Sequence, residues 1–127
     1  GRQPRLDYLR TYHRIDVALD TLPYNGHVTS LDALWMGVPV VTLTGKRGVS
    51  RAGWSHLSNL GLENLACRSE EHFVQAALGL VKNLPRLSGL RTTLRERMRS
   101  SPLMDAPRFA CDVEAAYRRM WQSSKWR

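Results

Sequence analysis

Two short apolar runs, separated by one glycine-bearing turn and one helical pattern, restrict what this chain can fold into. The runs are residues 16–20 (DVALD) and 38–43 (VPVVTL). Apolar runs of this length, rich in β-branched residues, predict strands that are buried on both faces. Because a helix is predicted between the two strands, the connection favours a parallel pair over a hairpin.

The remaining patterns extend this order of strands and helices. Helices are predicted over 6–15, 27–36 and 50–60, and 63–67 (ENLAC) predicts a third short strand. Ser69 followed by two glutamates predicts the start of a further helix. Apolar residues at helical spacing predict two more helices, with Leu87, Leu90, Leu94 and Met98 on one and Phe109, Val113, Ala116, Tyr117, Met120 and Trp121 on the other. The expected fold is α/β: a Rossmann-like, three-layer half-lobe with a short parallel sheet.

A sheet of only three strands leaves edges that need covering. We therefore expect the 127 residues to be part of a larger protein, and the isolated chain to self-associate as a dimer. No apolar run approaches the roughly 18 residues of a membrane span, and the start of the chain lacks a signal-peptide pattern. Cys67 and Cys111 predict buried free thiols in a reducing compartment, so a cytoplasmic location is expected.

The excess of basic residues suggests a second class of function, the binding of polyanions. The chain has 19 Lys and Arg against 11 Asp and Glu, a net charge of +8. From Lys82 onward there are 11 basic and 4 acidic residues, which fit either a solvated helix face or a polyanion-binding surface. The histidines share no metal spacing, and no metal is expected.

The polar stretch before the second strand predicts an anion site. Asn25 and Gly26 predict a tight turn with unusual backbone angles. His27, Val28 and Thr29 would then present backbone N–H groups at a helix start, which suits phosphate. Asp32, one helical turn further on, suits the paired hydroxyls of a ribose.

The same helix must also be held against the sheet. Val28, Leu31 and Trp35 are predicted to form that anchoring face, and Gly37 to end the helix. Ordinary capping by Thr29 and Asp32 remains an alternative to ligand binding. Lys46, Arg47 and Arg51, which follow the second strand, fit either phosphate or acceptor contacts or a flexible basic loop.

Four segments resemble the catalytic region of O-linked N-acetylglucosamine transferases and their bacterial relatives with tetratricopeptide repeats. They are LDTLPYNGHVTSLDALWMGVPVVTLTG, SRAGWSHLSNLGL, LRERMRSSPLMD and EAAYRRMW, in the family's order. The resemblance implies a GT-B architecture. This chain would be the C-terminal part of the lobe that binds the nucleotide sugar.

The resemblance also implies roles for single residues. Gly26, His27, Val28 and Thr29 would contact the diphosphate of UDP-GlcNAc, Asp32 the ribose, and Tyr8 the uracil. Val28 stands where the family often has threonine. The catalytic lobe, the repeats and any general base would lie outside this chain, so no catalytic residue is assigned and the isolated chain is expected to be inactive. No cofactor is implied beyond the UDP-sugar donor and a protein Ser or Thr acceptor.

Two alternatives remain open from the sequence. A related transferase could use another UDP-sugar or an asparagine acceptor. The basic excess also fits a non-catalytic module for nucleic acid or phosphate, which would bind with a steep dependence on salt.

Overall fold

The sheet is short, parallel and three-stranded, as the sequence predicts. A computed structural model describes residues 3–123. Strands β1 (Ala18–Asp20), β2 (Val40–Leu43) and β3 (Ala66–Cys67) lie in the order β1-β2-β3. Ala18 lies opposite Val40, and Leu43 lies opposite Cys67. All four residues of β2 are buried, and because successive side chains point to opposite faces, both faces of the sheet are covered at this strand. The expectation that the first strand is also buried on both faces is wrong, because Leu19 of β1 is 59% exposed at the edge of the sheet.

The part of the chain that the structure describes also contains six α-helices. They are α1 (Arg5–Thr11), α2 (Val28–Trp35), α3 (Ala52–Asn59), α4 (Glu70–Lys82), α5 (Leu84–Arg99) and α6 (Ala106–Ser123). Short 3₁₀ turns lie at Tyr12–Arg14, Gly48–Ser50, Glu63–Leu65 and Pro102–Met104. The α/β class predicted from the sequence is therefore confirmed.

The helix boundaries follow local rules of capping. The Ser69 side chain accepts a hydrogen bond from the His72 backbone N–H at the start of α4, as predicted. Gly37 and Gly61 follow α2 and α3 with φ of +79° and +66°, a region where glycine avoids the cost of a Cβ. At Gly37 a Cβ would also lie 2.7 Å from the Arg91 carbonyl oxygen, so α5 approaches the end of α2 too closely for any larger residue.

The core joins α2, α5 and the sheet. Leu34 of α2, Val41 of β2 and Leu94 of α5 are all fully buried. The predicted stripe on α5 is confirmed, since Leu87, Leu90, Leu94 and Met98 are its buried residues. Each such leucine stabilises the fold by about 1.5–3 kcal/mol relative to an exposed position.

The predicted anchoring face of α2 is wrong at one residue. Val28 is 65% exposed, whereas Leu31 and Trp35 are partly buried against the core. Ala33 and Leu34 provide the fully buried contact instead. Val28 is the first residue of α2, and the buried residues of the helix, Ser30 and residues 32–34, all follow it.

The last helix forms as predicted but none of its residues is buried. Phe109, Tyr117, Met120 and Trp121 are more than half exposed, so its apolar stripe faces outward. Cys111, on the same helix, is also exposed, so the expectation that both thiols are buried is wrong for Cys111. Cys67 is buried as expected, and its burial raises the pKa of its thiol.

Within residues 3–123, every helix is too short or too polar to cross a lipid bilayer.

Candidate functional site

The loop between β1 and α2 is fixed by a buried carboxylate. Asp20, at the end of β1, accepts a hydrogen bond from the Gly26 backbone N–H at 2.7 Å and another from the Thr42 hydroxyl at 2.6 Å. Asp20 is buried, and its two oxygens thereby tie the loop to β2. The expected structural role of Asp20 agrees with this geometry.

Asn25 ties the same loop to the segment after β2. Its backbone N–H donates to the Val49 carbonyl oxygen at 3.1 Å, and its Nδ2 donates to the Leu43 carbonyl oxygen at 3.2 Å. The side chain is fully buried. The start of α2 is therefore held from both neighbouring strands.

Gly26 is required for space and not for a positive φ. Among residues 3–123 only Gly37 and Gly61 have positive φ, so the turn forms without placing Gly26 in the left-handed region. A Cβ on Gly26 would lie 2.5 Å from Ser30 Oγ and 2.8 Å from Thr29 Oγ1. The glycine lets the loop pass close to the first turn of α2, and its own N–H is already used by Asp20.

The first turn of α2 is open to a ligand. His27, Val28 and Thr29 are exposed, and no side chain of the described residues caps this helix. The N–H groups of a helix's first turn have no acceptor within the helix and carry a partial positive charge. These three predicted residues are therefore brought together as exposed donors at the carboxyl end of the sheet.

His27 stands between two aromatic rings. The Tyr24 ring centroid lies 5.3 Å away and the His56 centroid 6.4 Å away, with the two imidazoles nearly perpendicular. Burial lowers the pKa of His56, and the nearby His27 lowers it further. His56 Nδ1 is buried without a hydrogen-bond partner among residues 3–123. Sequence reasoning missed this pairing, because His56 comes from α3.

Asp32 is placed one turn below these donors, but it is not free. It is 8% exposed, and Arg5 of α1 donates to both of its carboxylate oxygens, at 2.6 and 2.8 Å. These hydrogen bonds raise the pKa of Arg5 above its ordinary value. Sequence reasoning missed Arg5, which lies 27 residues before Asp32 and has no local pattern linking the two.

Tyr8, the predicted uracil contact, belongs to a chain of hydroxyls. The Tyr8 and Tyr12 hydroxyls are 2.6 Å apart, and the Tyr12 hydroxyl donates to the Thr29 carbonyl oxygen at 3.2 Å. Burial and the Tyr8 hydrogen bond raise the pKa of Tyr12, so it remains a donor. The Arg5 guanidinium lies 5.5 Å from the Tyr8 ring centroid. Tyr8 thus borders the Asp32 end of the site.

A cavity of about 270 Å³ opens between β1 and the start of α2. Gly26 and Thr29 line it together with Tyr12, Asp20, Tyr24 and Ser30. The other predicted site residues, Tyr8, His27, Val28 and Asp32, do not line it. Within residues 3–123, no three His, Cys, Asp or Glu side chains lie close enough together to hold a metal ion. The arrangement offers hydrogen-bond donors to an anion, with a carboxylate and an arginine beside them.

Comparison with known proteins shows which family the chain resembles. The family model described as glycosyl transferase family 41 matches residues 3–113. The probable UDP-N-acetylglucosamine–peptide N-acetylglucosaminyltransferase SPINDLY of Solanum lycopersicum is 42% identical over 116 residues, which are 91% of this chain and 12% of that protein. The probable transferase SEC of Arabidopsis thaliana is 34% identical, with the same shares covered.

A solved structure is also similar. A mutant of the Thermobaculum terrenum O-GlcNAc transferase is 51% identical and superposes with a TM-score of 0.87, covering 95% of this chain and 23% of that one. The chain thus spans about an eighth of the length of the plant relatives, and its fold is found within a larger transferase. The family match covers most of the chain and includes the whole candidate site: the chain belongs to glycosyl transferase family 41.

Proposed function

We propose that this chain is the donor-nucleotide-binding part of an inverting glycosyltransferase that transfers N-acetylglucosamine from UDP-GlcNAc to protein Ser or Thr. The observation that carries the proposal is the exposed, uncapped start of α2, where Gly26 and Thr29 line a cavity at the carboxyl end of the sheet and His27 lies between them in the chain. Ligands of open α/β sheets bind at this edge.

The proposed chemistry of the chain is stabilisation of the leaving group. When the bond to the sugar breaks, negative charge develops on the diphosphate of UDP. Backbone N–H groups of residues 27–29, the Thr29 hydroxyl and the His27 ring would donate hydrogen bonds to that charge. Donors already aligned by the helix cost little reorganisation when the charge appears.

The ribose would bind where Arg5 and Asp32 meet. A carboxylate with two oxygens has lone pairs to spare beyond those used by one arginine fork, so it can accept from ribose hydroxyls beside Arg5. Arg5 is an exposed side chain, with 60% of its surface accessible, and can shift to admit the sugar. Tyr8, next to Arg5, is the candidate for the base.

We further propose that the chain is the C-terminal part of one lobe of a GT-B enzyme, with the other lobe, tetratricopeptide repeats and the general base outside it. The unburied apolar stripe of α6 and the small share of each relative that is covered support this proposal. The 127-residue chain alone would then lack transferase activity. The longer protein would act in the cytoplasm, and its reaction would need no metal. A radiolabelled UDP-GlcNAc assay of the chain, compared with the longer protein, tests this.

Titration of ¹⁵N-labelled chain with UDP tests the donor site itself. Amide signals of His27, Thr29 and Asp32 should shift and saturate. Thr29→Val, which removes one donor without changing the helix, should weaken binding by about tenfold. Thr93→Val, which removes an exposed hydroxyl on α5, serves as the matched control. If UDP shifts signals only elsewhere, or Thr29→Val binds like the control, the donor-site proposal is wrong.

A non-catalytic module for nucleic acid is the second candidate, favoured by the net charge of +8. It predicts binding to RNA or DNA that weakens steeply with salt and is unaffected by Thr29→Val. The same labelled chain distinguishes the two candidates. Nucleic acid would shift the amide signals of arginine-rich surfaces and leave the signals of residues 27–32 unchanged.

A further inference from the structure

A second cavity, which we call the basic pocket, lies at the carboxyl ends of β2 and β3. It has a volume of about 410 Å³ and is lined by Thr44, Gly45, Lys46, Arg51, Trp54 and Arg68. We propose that the basic pocket binds a phosphate group, at a position separate from the proposed diphosphate site. The described linings of the two cavities have no residue in common.

The charge of the basic pocket has no internal balance. Three of its lining residues are cationic and none is acidic. Among residues 3–123, Lys46, Arg51 and Arg68 have no carboxylate within 4.0 Å, although Arg5, Arg10, Arg91, Arg99, Arg108 and Arg118 each have one. Like charges gathered on one concave wall attract an anion from solution.

One of these cations is held in place before any ligand arrives. The Arg51 guanidinium lies 5.3 Å from the centroid of the Trp54 ring, a cation–π contact. Because this contact already restricts the Arg51 side chain, less conformational freedom is lost when the guanidinium binds a ligand. A planar fork matches two oxygens of a phosphate.

The floor of the pocket is rigid and holds an unused hydroxyl. The Thr44 backbone N–H donates to the Cys67 carbonyl oxygen at 2.7 Å, and the Gly45 N–H to the Ser50 carbonyl oxygen at 2.8 Å. A Cβ on Gly45 would collide with the Ser50 hydroxyl and lie 3.1 Å from a Leu22 methyl group. Thr44 Oγ1 is buried and has no hydrogen-bond partner among the described residues, so a rotation about χ1 would make it a donor.

A phosphate monoester fits better than a single carboxylate. Three positive charges are balanced more fully by a dianion, and three phosphate oxygens accept from two guanidinium forks and one ammonium together. The phosphate could belong to a small metabolite or to a phosphorylated side chain of a polypeptide. Both sources share this chemistry, and the experiment below separates them.

The test uses the 127-residue chain, ¹⁵N-labelled, at pH 8 and constant ionic strength. Inorganic phosphate should shift the Trp54 indole and the Gly45 and Arg68 amides to saturation. Arg51→Gln and Arg68→Gln should each weaken this binding by about tenfold or more. Arg47→Gln removes the same charge from a neighbour that does not line the pocket. It should change the affinity for phosphate less than about twofold, because an exposed charge outside the pocket contributes little to binding.

A phosphoserine peptide and its unphosphorylated form separate the two sources. Tighter binding of the phosphopeptide than of free phosphate assigns a polypeptide, and equal affinity assigns a small molecule. Thermal unfolding of each variant checks its fold, and Lys46→Gln on the exposed loop is the substitute where an arginine variant does not fold. The proposal is overturned if phosphate gives no saturable shifts, if shifts occur only at residues 26–30, or if the pocket variants bind like Arg47→Gln. The amide signals of residues 26–30 report on the proposed UDP site and not on the basic pocket. A failure of the phosphate proposal therefore leaves the UDP proposal intact, and a failure of the UDP proposal leaves the phosphate proposal intact.

Discussion

Arg5 and Asp32 join α1 to α2 through a two-pronged ion pair, with N–O distances of 2.6 and 2.8 Å. Asp32 is almost fully buried whereas the Arg5 side chain is 60% exposed. The carboxylate is therefore fixed by the fold, and the arginine is the partner that can move. This asymmetry makes the pair suitable for admitting a sugar with hydroxyl groups.

Asp32→Asn should lower the affinity for uridine and for UDP by about tenfold, because a charged acceptor of two hydroxyl groups is lost. Affinity for pyrophosphate should stay unchanged, since the donors at residues 27–29 are untouched. Isothermal titration calorimetry with the three ligands measures this. Asp16→Asn, which removes an exposed partner of Arg91 at 3.6 Å, is the control. Equal losses for all three ligands would mean that Asp32 supports the helix and not the ribose.

Gly53→Ala should destabilise the chain by about 1–3 kcal/mol, because α3 packs directly on the end of the sheet. The added Cβ would lie 2.5 Å from Asp20 Oδ2 and would collide with the Thr42 hydroxyl. Urea unfolding measures the change. Gly79→Ala is a matched control on α4 with open space around it, and it should stabilise by up to about 1 kcal/mol. Similar effects of the two substitutions would contradict the close packing of α3.

Asp20→Ala should cost about 3 kcal/mol of folding free energy. The Gly26 N–H and the Thr42 hydroxyl would both lose their hydrogen-bond acceptor in the protein interior. Thr42→Val removes one of the two hydrogen bonds and should cost about half as much. If Asp20→Ala folds as stably as the unaltered chain in urea, the loop is held by Asn25 alone.

The stability of the chain should fall as the pH drops below the ordinary histidine pKa of 6.5. His56 has a lowered pKa when folded, so the unfolded chain binds more protons between that lowered pKa and 6.5, and protons favour unfolding. The nearby groups are His27, which adds to the lowering, and Asp20, which opposes it. Urea midpoints measured from pH 8 down to pH 5 should decrease. His56→Gln should flatten this dependence, and His72→Gln, on the exposed start of α4, should retain it.

The isolated chain should self-associate through α6, because Phe109 and Trp121 are 67% and 74% exposed on one apolar stripe. Sedimentation velocity at rising concentration should show dimers. Phe109→Ser with Trp121→Ser should shift the chain to monomer, while Arg119→Ser on the polar side should not. A monomer at all concentrations would contradict the expected association.

Much of the fold follows from local patterns. The buried run of β2, the Ser69 cap and the leucine stripe of α5 each depend on residues within a few positions of one another, and each is confirmed. Helical period and capping chemistry are properties of short segments, so a single sequence contains them.

What the sequence could not predict depends on distant residues. The ion pair between Arg5 and Asp32 forms only when α1 packs against α2. The contact between the His27 and His56 rings likewise needs α3 to pack beside the start of α2. The exposure of Val28 and of the α6 stripe depends on how the helices pack, which helical periodicity does not determine. The position of His27 and Thr29 at the exposed start of α2 was predictable because the helix start and its polar neighbours are adjacent in sequence.

Asn25 fastens the turn before α2 to the segment that leads into the basic pocket, through the Val49 and Leu43 carbonyl oxygens. Both segments therefore depend on one buried side chain, so replacing Asn25 by alanine would loosen the turn before α2 and the segment after β2 together.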